Sequence, residues 1–218
     1  MLETTINNIL LKKDALLGNS FQRALHNNAI RNVVLSGLGV DLGAKNEDSP
    51  YYDYMSINGE VHFTDYNACS ENIMQIDFEQ SFDIDSEKYD YAIAFNVLEH
   101  VFNYNNFLTE TFRILKNDGL LILQVPFIKE YHPDHQDYFR YTHTCLEKIL
   151  NNNGFDVIEN VNYGVGAISN AINIGRGPKP RWLRYYYWRA CVWIDKKLSK
   201  YYKVNPNFYM GSVIVAKK

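Results

Sequence analysis

Acidic residues close three successive apolar runs of this chain, and a fourth run closes on an acid beside a histidine. VVLSGLGVDLG carries Asp41 ahead of Gly43, EVHFTDYN places Asp65 ahead of Tyr66, and NIMQIDF places Asp77 ahead of Phe78. YDYAIAFNVL leads through Asn96 into Glu99 and His100. In a doubly wound sheet, ligands sit at the carboxyl ends of the strands where the strand order reverses, so these ends are read first. Asp65 follows Asp41 by 24 residues, the spacing at which an acid after a glycine turn meets both hydroxyls of a ribose. A nucleoside pocket follows. Downstream, HPDHQDYFR gathers His132, Asp134, His135 and Asp137, then Tyr138 and Arg140. Imidazole titrates near neutrality, which makes His132, His135 and His100 the candidate general bases. Asp137, Tyr138 and Arg140 are candidates to orient an anionic or sugar acceptor.

Plainer roles fit some of the same residues. Asp41 can bond backbone amides of the first turn, Glu99 and His100 can cap a helix, and Tyr138, Phe139 and Tyr141 can pack beneath the helix that follows. HPDH brings two imidazoles together, but no third and fourth ligand is fixed by spacing, so no metal site is expected.

Positioning these groups requires strands with their carboxyl ends aligned. Residues 2 to 31 have apolar positions at helical spacing, broken at Gly18-Asn19, which predicts two short helices. From Val33 onward, seven apolar runs read as strands, the last three being LLILQVPF, FDVIENV and GSVIVAKK. NNFLTETFRILKNDG predicts a helix with Leu108, Phe112 and Leu115 on one face and Gly119 as its C-cap. A further helix is expected over 144–153, with Thr144 and Glu147 as a capping box and Gly154 as the stop. Strands alternating with helices imply an α/β fold, a mostly parallel sheet with helices on both faces.

The chain has 218 residues and 25.4 kDa, the size of one domain, 1–218, divided as N-terminal helices to 32, a core over 33–163, an insertion over 164–206 and a last strand over 207–218. Hydrophobic residues at 46% and charged residues at 22% exclude a disordered chain or a fibre. A net charge of -3 argues against wholesale nucleic-acid binding. Cys69, Cys145 and Cys191 form no CxxC pattern, which excludes a disulfide framework and suits a reducing compartment. The N-terminus lacks a signal-peptide core and no run is long and apolar enough to span a bilayer, so a cytoplasmic protein is expected.

Residues 176 to 203 hold nine Lys or Arg against one acid, Asp195. Over 181–203, Trp182, Tyr185, Tyr186, Trp188 and Trp193 interleave with those cations, as in a helix lying on the inner face of an anionic membrane. The pattern equally fits a helix that packs its aromatics on the sheet, or on a second subunit of a homodimer, with its charges in water.

Taken in order, the runs over about 33 to 160 resemble the class I S-adenosylmethionine-dependent methyltransferases, particularly the small bacterial enzymes that modify glycans, lipids and metabolites. Val40, Asp41, Leu42 and Gly43 match the family's first motif, Asp65 its acid after the second strand, and Asp77 its Asp after the third. YDYAIAFNVLEHV, FRILKNDGLLILQVPF and HPDHQDYFRYTHTCLEKILNNNGFDVIE resemble its later segments. The sequence departs at Gly43-Ala44-Lys45-Asn46, one glycine where the family has two or three; there Lys45 can offer its backbone and its ammonium to the cofactor's carboxylate. The resemblance implies a Rossmann-like, seven-stranded sheet with an antiparallel last strand, and S-adenosyl-L-methionine held by Asp41, Gly43, Lys45, Asp65, Tyr66, Asp77, Phe78 and Asn96. It further implies methyl transfer to a sugar hydroxyl of a bacterial surface glycan such as lipopolysaccharide O-antigen. The alternatives are a small-molecule or lipid methyltransferase and a non-catalytic scaffold of the same fold. A nicotinamide oxidoreductase is disfavoured, because GxGxxG is absent.

Overall fold

The computed structural model describes residues 2–44, 49–67, 72–133, 136–174, 177–202 and 208–218. Two helices, α1 (Asn8–Leu17) and α2 (Phe21–Ile30), precede β1 (Val34–Leu42). There follow β2 (Ser56–Asp65), β3 (Ile73–Gln75), β4 (Tyr89–Phe95), α3 (Tyr104–Ile114), β5 (Leu115–Pro126), α4 (His143–Asn152), β6 (Asp156–Tyr163), α5 (Ala167–Ile174), α6 (Arg181–Tyr202) and β7 (Gly211–Lys217). The sheet order is β3-β2-β1-β4-β5-β7-β6. Among the described strands only β7 runs antiparallel, pairing with β5 on one side and β6 on the other.

Strand period explains the two faces. In β4, Ala92 and Ala94 join Val40, Leu42, Leu121 and Leu123 in a core that α3 and α4 close with Phe107, Leu108, Leu146 and Leu150. Tyr91, Ile93 and Phe95 face the other way, onto Leu11, Phe21 and Leu25 of the N-terminal helices. The predicted break between those helices is real: Gly18 adopts φ 91, and Ser20 starts α2 by accepting the Arg23 N–H at 3.1 Å.

Three boundaries differ from expectation. Thr142, not Thr144, caps α4, its hydroxyl accepting the Cys145 N–H at 3.2 Å, while Glu147 accepts from Asn160 at 2.8 Å. Helix α3 ends at Ile114, because Leu115 already takes extended backbone and opens β5, within which Asp118 takes φ 65. The third difference lies after Gly164, where small residues and turn signals hide the short helix α5.

Helix α6 has two distinct faces. Trp188, Cys191 and Asp195 are buried, and Trp188 lies 5.2 Å from Phe21. Asp195 caps α5, accepting the Ile168 and Ser169 N–H groups at 3.0 and 2.8 Å. The other face exposes Trp182, Tyr186 and Trp193 beside Arg189, Lys196, Lys197 and Lys200. Cys191 and Cys145 are free thiols; Cys69 lies outside the described residues. No helix among the described residues is long and apolar enough to cross a membrane.

Candidate functional site

The strand order reverses between β1 and β4, so their carboxyl ends open a crevice. Two unusual backbone positions shape it. Gly43, just past β1, has φ 92, and a Cβ there would stand 2.6 Å from Val97 Cγ2, so both conformation and space demand glycine. Asn96, just past β4, has φ 56, a left-handed position that asparagine tolerates better than most residues. Hydrogen bonds to neighbouring strands pin both: the Gly43 N–H donates to the Thr64 carbonyl and the Asn96 N–H to the Gln124 carbonyl, each at 3.0 Å. Two cavities of about 360 Å³ each meet at Gly43, Asn96 and His100.

The first cavity is lined by Asp65, Tyr66, Asp77 and Phe78 at the ends of β2 and β3. A backbone N–H two residues on steadies each aspartate, Asn67 donating to Asp65 at 2.7 Å and Glu79 to Asp77 at 2.9 Å. Glu79 in turn accepts the Phe102 and Asn103 N–H groups at 2.6 and 2.9 Å, tying this loop to the start of α3. Two carboxylates beside the ring of Phe78 suit a nucleoside. Tyr138, expected beside an acceptor, lines this cavity instead, 5.2 Å from the Phe102 ring.

Asp41 does not line either cavity. Its side chain is 1% exposed and accepts the hydroxyls of Tyr51 and Tyr52. Burial pushes its pKa up to about 6 against the lowering effect of those two hydrogen bonds. The Asp41 carboxyl is thus engaged by two tyrosine hydroxyls at the end of β1. Lys45, His135 and Asp134 lie outside the described residues.

The second cavity gathers residues from distant parts of the chain. Ser20, Arg23 and His26 come from the N-terminal turns, Gln124 and Lys129 from the end of β5, and Tyr163 from the end of β6. His100, His132, Asp137 and Arg140 line it too, as expected from sequence. Arg140 grips both oxygens of Asp137, one at 2.6 Å, which holds that carboxyl below the usual range. Asp137 also accepts the His132 N–H at 2.7 Å. This pair shapes the loop, so Arg140 is spent on Asp137.

His100 has the geometry of a base. Its Nδ1 contacts the carbonyl oxygen of Gln136, which only accepts, so Nδ1 carries the proton and Nε2 the lone pair. Nε2 lies 3.8 Å from Glu99 Oε1. Glu99 is 2% exposed, and burial pushes its pKa up to about 8.

Three polar atoms on this cavity's residues have no hydrogen-bond partner among the described residues: Glu99 Oε2, His26 Nε2 and Gln124 Oε1. Burial keeps His26 neutral by holding its pKa well below the usual value, and its ring meets Phe95 edge-on at 4.7 Å. Gln124 donates its amide to the Tyr163 hydroxyl at 2.7 Å. Sequence reading missed Ser20, Arg23, His26, Gln124, Lys129 and Tyr163. One signal existed, a lone glutamine inside the apolar run LLILQVPF. Among the described residues no group of three His, Cys, Asp or Glu is placed to hold a metal.

Residues 28–160 match the methyltransferase domain family. No curated protein matches the sequence. Among solved structures, a Bacillus halodurans chain assigned as a methyltransferase superposes with a TM-score of 0.54 at 14% identity, covering 91% of this chain and 98% of that one. A Haloferax volcanii chain, likewise assigned and solved with the Trm112 methyltransferase activator, gives 0.53 at 16%, covering 95% and 96%. The Haemonchus contortus phosphoethanolamine N-methyltransferase 2, solved with S-adenosyl-L-methionine, gives 0.53 at 13%, covering 97% and 57%. At these identities the superpositions establish the fold, while the family match extends over more than half of the sequence. The chain therefore belongs to the methyltransferase domain family, and it is a class I S-adenosylmethionine-dependent methyltransferase.

Proposed function

We propose that the protein methylates a hydroxyl oxygen of a sugar in a bacterial surface glycan, such as lipopolysaccharide O-antigen, presented at the cytoplasmic face of the membrane. S-adenosylmethionine supplies a methyl group already activated on sulfonium, so the chain has to position the acceptor and take its proton. Asp65, Asp77 and Phe78 would hold the nucleoside, and Gly43 lets the backbone approach closely where the two cavities meet. The observation that carries the acceptor assignment is the polar lining of the second cavity, to which Ser20, His26, Gln124 and Tyr163 contribute alongside His100. A few convergent polar groups of this kind fit a ligand rich in hydroxyls.

His100 accepts the proton in this reading. It touches both cavities, and its Nε2 carries the free lone pair. His132 is more exposed, and its backbone is engaged by Asp137; it is left a supporting role at the rim.

A small-molecule acceptor is the second reading, favoured by the modest volume of the second cavity. The experiment supplies purified protein with radiolabelled S-adenosylmethionine and offers lipid-linked glycan extracts, free sugars, phenols and small amines. Label in the glycan, lost in His100→Asn, supports the sugar reading. Label only in phenols or amines would replace it with the second.

A further inference from the structure

The charge balance of the second cavity leads beyond a neutral sugar. Its described lining includes two cations without a full counter-charge. Arg23 is half-buried on the first turn of α2, and among the described residues its guanidinium has no acceptor. Lys129 pairs with Glu130 at 3.5 Å, but that carboxylate is itself half in water. The acids on the wall do not offset them. Asp137 is neutralised by the two-pronged grip of Arg140. Glu99 keeps its proton at neutral pH, since burial pushes its pKa up to about 8.

The cofactor does not correct the imbalance. At neutral pH it carries one carboxylate against an ammonium and a sulfonium, a net cation. That carboxylate can occupy one of the two side chains at most. A positively charged cofactor with Arg23 and Lys129 around one partly enclosed space would disfavour a cationic acceptor, and a partly buried cation gains from an anionic partner.

We infer that the acceptor carries an oxyanion, a phosphate or a carboxylate, which Lys129 and Arg23 hold in the cavity walled by His26, Glu99 and Gln124. This inference rests on the methyltransferase reading of the site and deepens it, since sugars in surface glycans and their activated precursors bear phosphates or uronic carboxylates. Arg140, one of the residues the sequence suggested for orienting the acceptor, is already paired with Asp137.

The test titrates protein saturated with S-adenosylhomocysteine, so that any site for the cofactor's carboxylate is already filled. The probes are glucose 1-phosphate, glucuronate and glucose. Both anionic probes are expected to bind at least about tenfold more tightly than glucose, and Lys129→Gln to remove about tenfold of that binding. Arg23→Gln should weaken the same probes, and Lys12→Gln, away from the cavity, should leave them unchanged. Phosphate alone binding well would assign the oxyanion to a phosphate ester, and glucuronate alone to a uronic acid. Glucose binding as well as its charged relatives, or anion binding indifferent to both cavity substitutions, would overturn the inference. So would loss of S-adenosylhomocysteine affinity, with no separate loss of anion binding, in both variants. Failure of the sugar reading shows elsewhere, in the labelling experiment above, because an anionic acceptor that is not a sugar would still respond to Lys129.

Discussion

At the residue scale, the account turns on His100 and Glu99. Because His100 Nδ1 is committed to the Gln136 carbonyl, Nε2 is the only ring nitrogen left to accept a proton. His100→Asn is expected to lower kcat by about 10²- to 10⁴-fold, with a smaller change in cofactor affinity; steady-state kinetics alongside calorimetry separate the two. Glu99 gives a prediction on stability. Above about pH 4.5 the unfolded chain ionises this carboxyl, whereas the folded chain keeps it protonated to about pH 8. The folded state therefore binds more protons across that window, and its stability falls as pH rises through it. Glu99→Gln should remove that part of the slope and stabilise the protein at pH 8 by on the order of a few kcal/mol. Thermal melts of both proteins from pH 5 to pH 9 check this, and parallel melting curves would contradict the burial of an acid there. Gly43→Ala is expected to weaken cofactor binding and destabilise the fold by about 1–3 kcal/mol, since its Cβ would press on Val97. Urea denaturation measures that cost directly.

At the scale of elements, α6 divides into a packed face and an exposed one. Trp188 is 4% exposed against Phe21, so Trp188→Ala should destabilise the fold by about 3–5 kcal/mol. Trp182 and Trp193 are 63% and 61% exposed, and their replacement should leave stability nearly unchanged. Asp195, the one acid of the basic segment, is buried as the cap of α5, which leaves the outward face rich in cations and aromatics and without an acid among the described residues. Such a face suits the boundary of an anionic bilayer. Trp182→Ala with Trp193→Ala should reduce sedimentation with vesicles containing phosphatidylglycerol, and not with phosphatidylcholine alone. Equal sedimentation of the two proteins would leave that face to another partner. The segment's composition was plain in the sequence. Its division into a packed face and a free one was not, because that depends on where α1 and α2 lie.

At the scale of the whole molecule, the parts legible in the sequence are those with local causes. Seven apolar runs became seven strands, and the acids that close the second and third, Asp65 and Asp77, line one cavity, since strand ends in a parallel sheet share one edge. The partners of Asp41 were not legible, because the alternation of side chains along β1 decides which face its carboxyl meets, and Tyr51 and Tyr52 arrive there only in the folded chain. The second cavity was only half visible. His132, Asp137 and Arg140 lie within one stretch and His100 closes the fourth strand run, but Arg23 and His26 arrive from α2 and Tyr163 from β6, joined only by tertiary packing. Glu99 was noticed, yet its burial, which decides its chemistry, has no local signature.

The central claim is a nucleoside-binding crevice at the β1/β4 switch point that serves methyl transfer. Isothermal titration of the protein and of Asp65→Ala with S-adenosylmethionine and with S-adenosylhomocysteine tests it most directly. The account predicts saturable binding of both ligands, largely lost in Asp65→Ala while the melting temperature is retained. No binding to the intact protein, or binding indifferent to Asp65, would contradict it.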